Sequence, residues 1–344
     1  MADGTPVPGS VWFYAPTNVA PIPFAVLFGI SAVFHLWQCF HYRCFWVTAY
    51  LPFCNALFTA GFALREVGAF NYGNVNVYLA STLMVYMAPP ILELANYHIL
   101  GRTLYYVPYF SPIHPGRVLT TLGSLSAMVE VLNALGVAYL TTSRTPDAKH
   151  YALGSNLLRA SLALQLAVIL LFYSLAGLFH VRCAGAGVGH RHRRVRAVLV
   201  SLYVSMALIL ARTVYRAVEH FAAPIAAGGG AAEAWRNLSP VIRYEWFFWV
   251  FEATPMLINV LMWNARHPRI YLPQSYRQYL AQDGETELDG PGWGDKRNKV
   301  MTLVDPFGFL SMCEKGRTGE PFWERNGYHH VLVNMKGTER QAPV

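Results

Sequence analysis

The sequence predicts an all-α membrane protein, a seven-transmembrane-helix bundle with its N-terminus outside and its C-terminus cytoplasmic. Three observations carry that expectation. Of 344 residues, 54% are hydrophobic and only 13% are charged, against about 25% charged in soluble domains. The apolar residues arrive in seven long runs, and the arginines and lysines concentrate on alternate loops between them.

A helix rising ~1.5 Å per residue needs roughly 20 apolar residues to cross a hydrocarbon core. The runs are Val19 to Cys39, Trp46 to Leu64, Val75 to Leu100, Val118 to Leu140, Asn156 to Phe179, Ala197 to His220 and Ile242 to Trp263. Backbone polar groups in lipid must be satisfied within the segment, so each run is expected to be helical. No basic residue precedes the first run, which argues against a cleaved signal peptide.

Cytoplasmic loops retain Lys and Arg. The first, third and fifth loops hold Arg43, then Arg102 and Arg117, then Arg182, Arg191, Arg193, Arg194 and Arg196, whereas the N-terminal segment has none. The chain therefore reads as an extracellular segment (1–18), a seven-helix domain (19–273) and a cytoplasmic polar tail (274–344). Asn237-Leu238-Ser239 is a glycosylation acceptor triplet in the outside sixth loop. Asp283, Glu285, Glu287 and Asp289 beside Gly290, Pro291 and Gly292 read as solvated, with an ordered piece expected near Val304 to Met312.

Composition also excludes. The net charge of +8 does not imply nucleic acid, because most arginines sit at the ends of apolar runs. Five cysteines, four of them at the cytoplasmic face, give no reason to expect a structural disulfide. The chain has no Gly-x-x-x-x-Gly-Lys-Ser/Thr loop, His-Glu-x-x-His, Cys-x-x-Cys or Gly-x-Ser-x-Gly, so no enzyme is expected. No metal or cofactor is expected either, although haem or porphyrin ligation by His35 or His98 stays open as an alternative.

The informative residues are ionisable ones inside the runs, where Arg or Asp at mid-helix costs about 2.5 to 3.5 kcal/mol even on the lenient insertion scale. They are expected to face the bundle interior. The third run holds Glu93, with Thr82, Tyr86, Asn96 and Tyr97 spaced to share roughly one face; the fourth holds Ser126, Glu130 and Asn133. Arg159 starts the fifth, and Arg212, Arg216 and Glu219 stand at i, i+4 and i+7 in the sixth. The seventh repeats Glu245, Glu252, Asn259 and Arg266 every seven residues, and His35 lies on one face of the first with Ser31 and Gln38. Buried ion pairs rarely repay their own desolvation, so this wealth of charge points to a polar cavity as well as a structural network. Pro89 and Pro90 precede Glu93 by one turn, and Pro255 follows Glu252; each is expected to kink its helix and free carbonyls such as those of Val85 and Tyr86.

Phe28-Gly29 through His35, Gly61 to Gly68 around Arg65-Glu66, Ala88-Pro89-Pro90, and Asn96-Tyr97 through Gly101-Arg102 form a specific combination. So do Ser111-Pro112-Ile113-His114-Pro115, Val129-Glu130-Val131-Leu132 with Gly136, Ala211 to Arg216 with Glu219, Glu245, Phe251-Glu252 and His267-Pro268. Over Tyr14 to Pro273 the chain resembles the fungal lipid-translocating exporter family, the aminocholesterol-resistance proteins. It departs from the family at Ser126, where many members carry an aspartate; Glu130 is the nearby acid here.

The resemblance implies seven spans, a fungal plasma-membrane setting, and resistance to or movement of sphingoid long-chain bases, sterol analogues and porphyrins. The expected function is to bind and translocate or export amphipathic lipids. Membrane lipids and an amphipathic small molecule are the expected partners, with no nucleic acid. The endoplasmic reticulum and vacuole are alternative locations, and the oligomeric state is left undetermined. A seven-span lipid or stress sensor is the main alternative class, since an arginine-rich third cytoplasmic loop suits signalling too; an intramembrane lipid hydrolase is a further one.

Overall fold

The computed structural model describes residues 16–71, 73–142, 148–185, 190–222, 239–281 and 286–292. Asn237 and the stretch from Val304 to Met312 lie outside them. The helices are α1 (Pro21–Tyr42), α2 (Phe45–Thr48), α3 (Tyr50–Phe70), α4 (Val75–Tyr106), α5 (Pro115–Thr142), α6 (Ala148–Gly185) and α7 (His190–Ala222). There follow α8 (Pro240–Arg243), α9 (Trp246–Phe248), a π-helical turn at Trp249–Ala253 and α10 (Thr254–Ala265).

Among the described residues, six helices are long and apolar enough to cross a membrane: Pro21–Tyr42, Val75–Tyr106, Pro115–Tyr139, Ala152–Gly185, Arg193–Phe221 and Trp246–Ile270. The second expected run is also helical. Its 21 residues, Tyr50–Phe70, have the length, but Asn55, Arg65 and Glu66 make it more polar and it is not one of the six.

The burial pattern is the inverse of a water-soluble helix. On α1 the polar Ser31, His35 and Gln38 are buried, whereas Ile30 is 62% exposed and Val33 69%. An exposed apolar stripe opposite a buried polar one suits hydrocarbon as the surrounding solvent. The chain is thus an all-α membrane protein.

Contacts divide the chain into two compact units. The first takes the described residues of Met1–Asn96, Leu125–Leu170 and Ser201–His267. Here α1 packs along α3 through stacked rings, Phe28 on Phe58 at 4.5 Å and Phe24 on Phe62 at 5.5 Å, and Phe24 also stacks on Trp249 of the π turn at 5.0 Å. Gly61 lets α3 approach α4, since a Cβ there would stand 2.7 Å from Val85 Cγ2. Across the same contact Ser81 Oγ donates to the Gly61 carbonyl at 2.9 Å.

The second unit takes the described residues of Tyr97–Ser124, Leu171–Val200 and Pro268–Val344. Part of the stretch read as solvated is ordered here. Gln278–Leu280 pairs antiparallel with Glu287–Asp289, Tyr279 facing Leu288. The physical reason is local burial: Tyr279, Leu280 and Ala281 are all buried. Buried Arg102 donates to the carbonyls of Ser275 (2.7 Å) and Gln278 (3.2 Å), and the Tyr106 hydroxyl donates to Glu287 Oε1 at 2.9 Å.

The seventh expected run differs from a single helix beginning at Ile242. Tyr244 is extended (φ −108°, ψ 122°) and separates α8 from α9. The π turn then widens the helix just before Pro255, whose ring cannot donate a backbone hydrogen bond. The Trp249 carbonyl accepts both the backbone N–H of Thr254 and, at 2.7 Å, its Oγ1. Pro89 and Pro90 lie inside α4, which continues through them as helix. One carbonyl beside them, that of Ala88, accepts from Cys54 Sγ at 3.2 Å.

Candidate functional site: a charged cavity in the first unit

A cavity of about 120 Å³ opens among four helices of the first unit. Tyr86 comes from α4, Glu130 and Asn133 from α5, Ser161 and Gln165 from α6, and Arg212, Arg216 and His220 from α7. Val129, Val137, Leu158 and Leu162 supply the apolar wall. The close approach of α5 and α6 that frames it depends on Gly136, where a Cβ would lie 2.7 Å from Leu158 Cγ and 3.0 Å from the Gly154 carbonyl.

The guanidiniums at this cavity are already engaged. Arg212 Nε pairs with Glu252 Oε1 at 2.7 Å, both side chains being buried. Arg216 pairs with Glu219, donates to the Tyr86 hydroxyl at 2.7 Å and stacks over the Tyr86 ring at 4.0 Å. Burial strengthens such contacts because little water screens them.

The carboxylates divide differently. Glu93 is buried and accepts neutral donors, Gln165 Nε2 at 3.0 Å and Ser126 Oγ at 3.5 Å. Ser126 stands where the family's aspartate was expected, so here it serves a carboxylate rather than supplying one. Glu130 is half-buried at the cavity wall beside Asn133, which hydrogen-bonds it. Among the described residues it has no Lys or Arg within ion-pair distance.

Of the residues singled out from sequence, Glu130, Asn133, Arg212 and Arg216 line this cavity. Glu93 adjoins it through Gln165, Glu252 through Arg212 and Glu219 through Arg216. Others are held elsewhere. Asn96 closes a network with Ser205, giving Nδ2 to Ser205 Oγ at 2.8 Å and accepting from it at 3.1 Å. Trp263 Nε1 and Asn259 Nδ2 join the same serine at its Oγ (3.2 Å) and carbonyl (2.9 Å). Tyr97 belongs to the second unit, fully buried near Phe172.

His35 Nε2 donates to the Val260 carbonyl at 3.1 Å, and Gln38 Nε2 to that of Asn264 at 2.8 Å, so this polar stripe stitches α1 to α10. Glu245 pairs with buried Arg65 at 2.9 Å and accepts from Thr17 N at 2.8 Å. The Arg65 guanidinium also lies 4.2 Å from the Phe248 ring centroid. Arg159 is exposed, its guanidinium 5.4 Å from the Phe221 ring centroid. A long side chain can carry its charge outward from an apolar helix, which the bare count of intramembrane charges did not take into account.

Ser161, Gln165 and His220 were not among the residues singled out, and Tyr86 was named only for its place on the polar face of the third run. Gln165 had a readable signal, being the one polar side chain in the run from Leu162 to Leu171. His220 had none, because a polar ring at the end of a span suits the interface equally well.

Buried and half-buried acids and bases around a small void, with apolar surface outside, define an integral membrane protein with a charged cavity in its helical interior. Residues 53–275 match the family described as RTA1 like protein, and the chain belongs to that family. A lipid-translocating exporter-like protein RTA1 of Leptosphaeria maculans is 42% identical over 325 residues, covering 91% of this chain and 62% of its own length. One of the same name from Ajellomyces capsulatus is 31% identical over 268 residues, 73% of this chain and 78% of its own. Protein RTA1 of Saccharomyces cerevisiae is 25% identical over 313 residues, 82% and 92% of the two chains. No solved structure matches.

Proposed function

We propose that the chain is a seven-span carrier of amphipathic lipids. It takes the amine head group of a single-chain lipid, such as a sphingoid long-chain base, into the cavity at Glu130. The observation that carries this reading is the state of Glu130: among the described residues it faces the cavity without an ion-pair partner, while Arg212 and Arg216 are already held by Glu252 and Glu219. An ammonium entering here would form a charge-assisted hydrogen bond in a medium of low effective dielectric.

A void of about 120 Å³ takes a head group and a little water, not a lipid tail. The tail would leave between helices, past the exposed Met128, Val131 and Leu135 that flank Glu130 on α5. The names of the Leptosphaeria and Ajellomyces relatives, lipid-translocating exporter-like, agree with a transport role.

In this reading α3 is the seventh span, its Arg65 neutralised by Glu245. The distribution of arginines puts residues 1–18 outside and 274–344 in the cytoplasm. The protein works in the plasma membrane, without catalysis or a resident cofactor, and its activity confers resistance to toxic amphiphiles.

The test is transbilayer movement of a fluorescent sphingosine in vesicles of phosphatidylcholine containing the purified protein. Wild type is expected to accelerate movement several-fold over empty vesicles, and Glu130→Gln to remove most of that gain. No acceleration by wild type would make the protein a binder or sensor rather than a carrier. Full activity of Glu130→Gln would move the head-group site elsewhere.

A further inference from the structure

The second unit contains a larger, open groove of about 600 Å³ whose polar lining includes Arg194, Arg269, Gln274, Ser275, Gln278 and Glu287. We propose that this groove binds the phosphate-bearing head group of an anionic membrane lipid. It is separate from the cavity at Glu130 and does not rest on the transport reading.

Charge favours an anion: among the described lining residues Arg194 and Arg269 stand against Glu287. Arg194 is exposed and has no carboxylate within ion-pair distance among the described residues. Its exposed neighbours Arg193 and Arg196 add to the positive potential. Glu287, the one acid among the described lining residues, accepts the Tyr106 hydroxyl. The wall is also built: buried Arg102 clamps the carbonyls of Ser275 and Gln278, and Arg269 Nη1 donates to the Leu272 carbonyl at 3.1 Å. Guanidinium forks and the amides of Gln274 and Gln278 are the donors a phosphate takes.

Position favours a lipid over a soluble phosphate. One apolar segment begins at Arg193 and another ends at Ile270. Arg194 and Ile270 both line the groove, which therefore lies where two spans leave the hydrocarbon, at head-group depth. Ile270, 51% exposed, offers an apolar edge for the start of the acyl chains.

Native mass spectrometry of the full-length protein in detergent tests this with three probes: dioleoyl phosphatidylinositol 4-phosphate, dioleoyl phosphatidylcholine and soluble inositol 1,4-bisphosphate. The inositol lipid is expected to bind at least ~10-fold more tightly than phosphatidylcholine, each arginine near the surface contributing roughly 5-fold. Arg194→Gln, at an exposed position that folding does not need, should weaken it about 5-fold, and adding Arg269→Gln further still. Arg43→Gln, at an exposed basic site in the other unit, should leave it unchanged. The proposal is overturned if phosphatidylcholine binds equally, if Arg194→Gln has no effect, or if soluble inositol bisphosphate binds as well as the lipid.

Discussion

Arg212 on α7 and Glu252 in the π turn meet at 2.7 Å with both side chains out of solvent, and the second carboxylate oxygen of Glu252 has no hydrogen-bond partner among the described residues. The pair ties α7 to the seventh apolar segment beside the cavity.

Removing one partner of a buried pair leaves the other charge uncompensated, at about 3–5 kcal/mol. Arg212→Met and Glu252→Met should each lower thermal stability in detergent steeply, and the two combined should lower it less than the singles added together. A double-mutant cycle read by thiol-reactive dye melting measures the coupling. Strict additivity would mean that the two do not interact energetically.

Arg65 combines an ion pair to Glu245 with stacking over Phe248 and Trp249, at 4.2 and 5.3 Å. A lysine keeps the charge but not the planar fork. Arg65→Lys is therefore expected to retain part of the melting temperature that Arg65→Ala loses. Equal losses would show that the charge alone contributes nothing.

At Gly61 a methyl group would press on Val85 Cγ2 at 2.7 Å and on the Val85 backbone nitrogen at 3.1 Å. Overpacking of this kind costs about 1–3 kcal/mol. Gly61→Ala should fall in stability by that order. Gly177→Ala, where nothing lies within 4 Å, should be neutral or slightly stabilising and serves as the comparison in the same melting assay.

Val19 adopts φ 77°, an outlier for a β-branched residue. Its amide is held by both oxygens of Glu66 at 3.2 Å. The left-handed conformation costs an L-residue roughly 1–2 kcal/mol, and Val19 is 63% exposed, so little packing is lost on replacement. Val19→Gly should raise the melting temperature, and Val19→Ala should gain less. A lower melting temperature for Val19→Gly would remove strain as the explanation.

Arg216 and Arg159 were alike in sequence, both guanidiniums within apolar runs. Arg216 lines the cavity and Arg159 is exposed. In the vesicle assay Arg216→Gln should reduce sphingosine movement severalfold, while Arg159→Gln, a surface change worth less than about 0.5 kcal/mol, should match wild type. A reversed order would relocate the functional charge.

Sequence alone determined that the chain is helical and membrane-embedded and which faces carry charge, because hydropathy and the 3.6-residue period are local properties of each segment. Glu93, Glu130, Arg212, Arg216 and Glu252 were legible on that basis. What tertiary structure decided was partnership. Glu245 and Glu252 share a seven-residue spacing, yet the extended Tyr244 and the π turn rotate one toward Arg65 and the other toward Arg212. Periodicity assigns a side chain to a face but not to a neighbour. Which of the buried acids on the seventh segment meets which guanidinium depends on other helices, 40 positions away for Glu252 and Arg212 and 180 for Glu245 and Arg65. The hairpin at Gln278–Leu280 and Glu287–Asp289 was hidden for the same reason, since its burial is provided by side chains near Arg102 that no local pattern records.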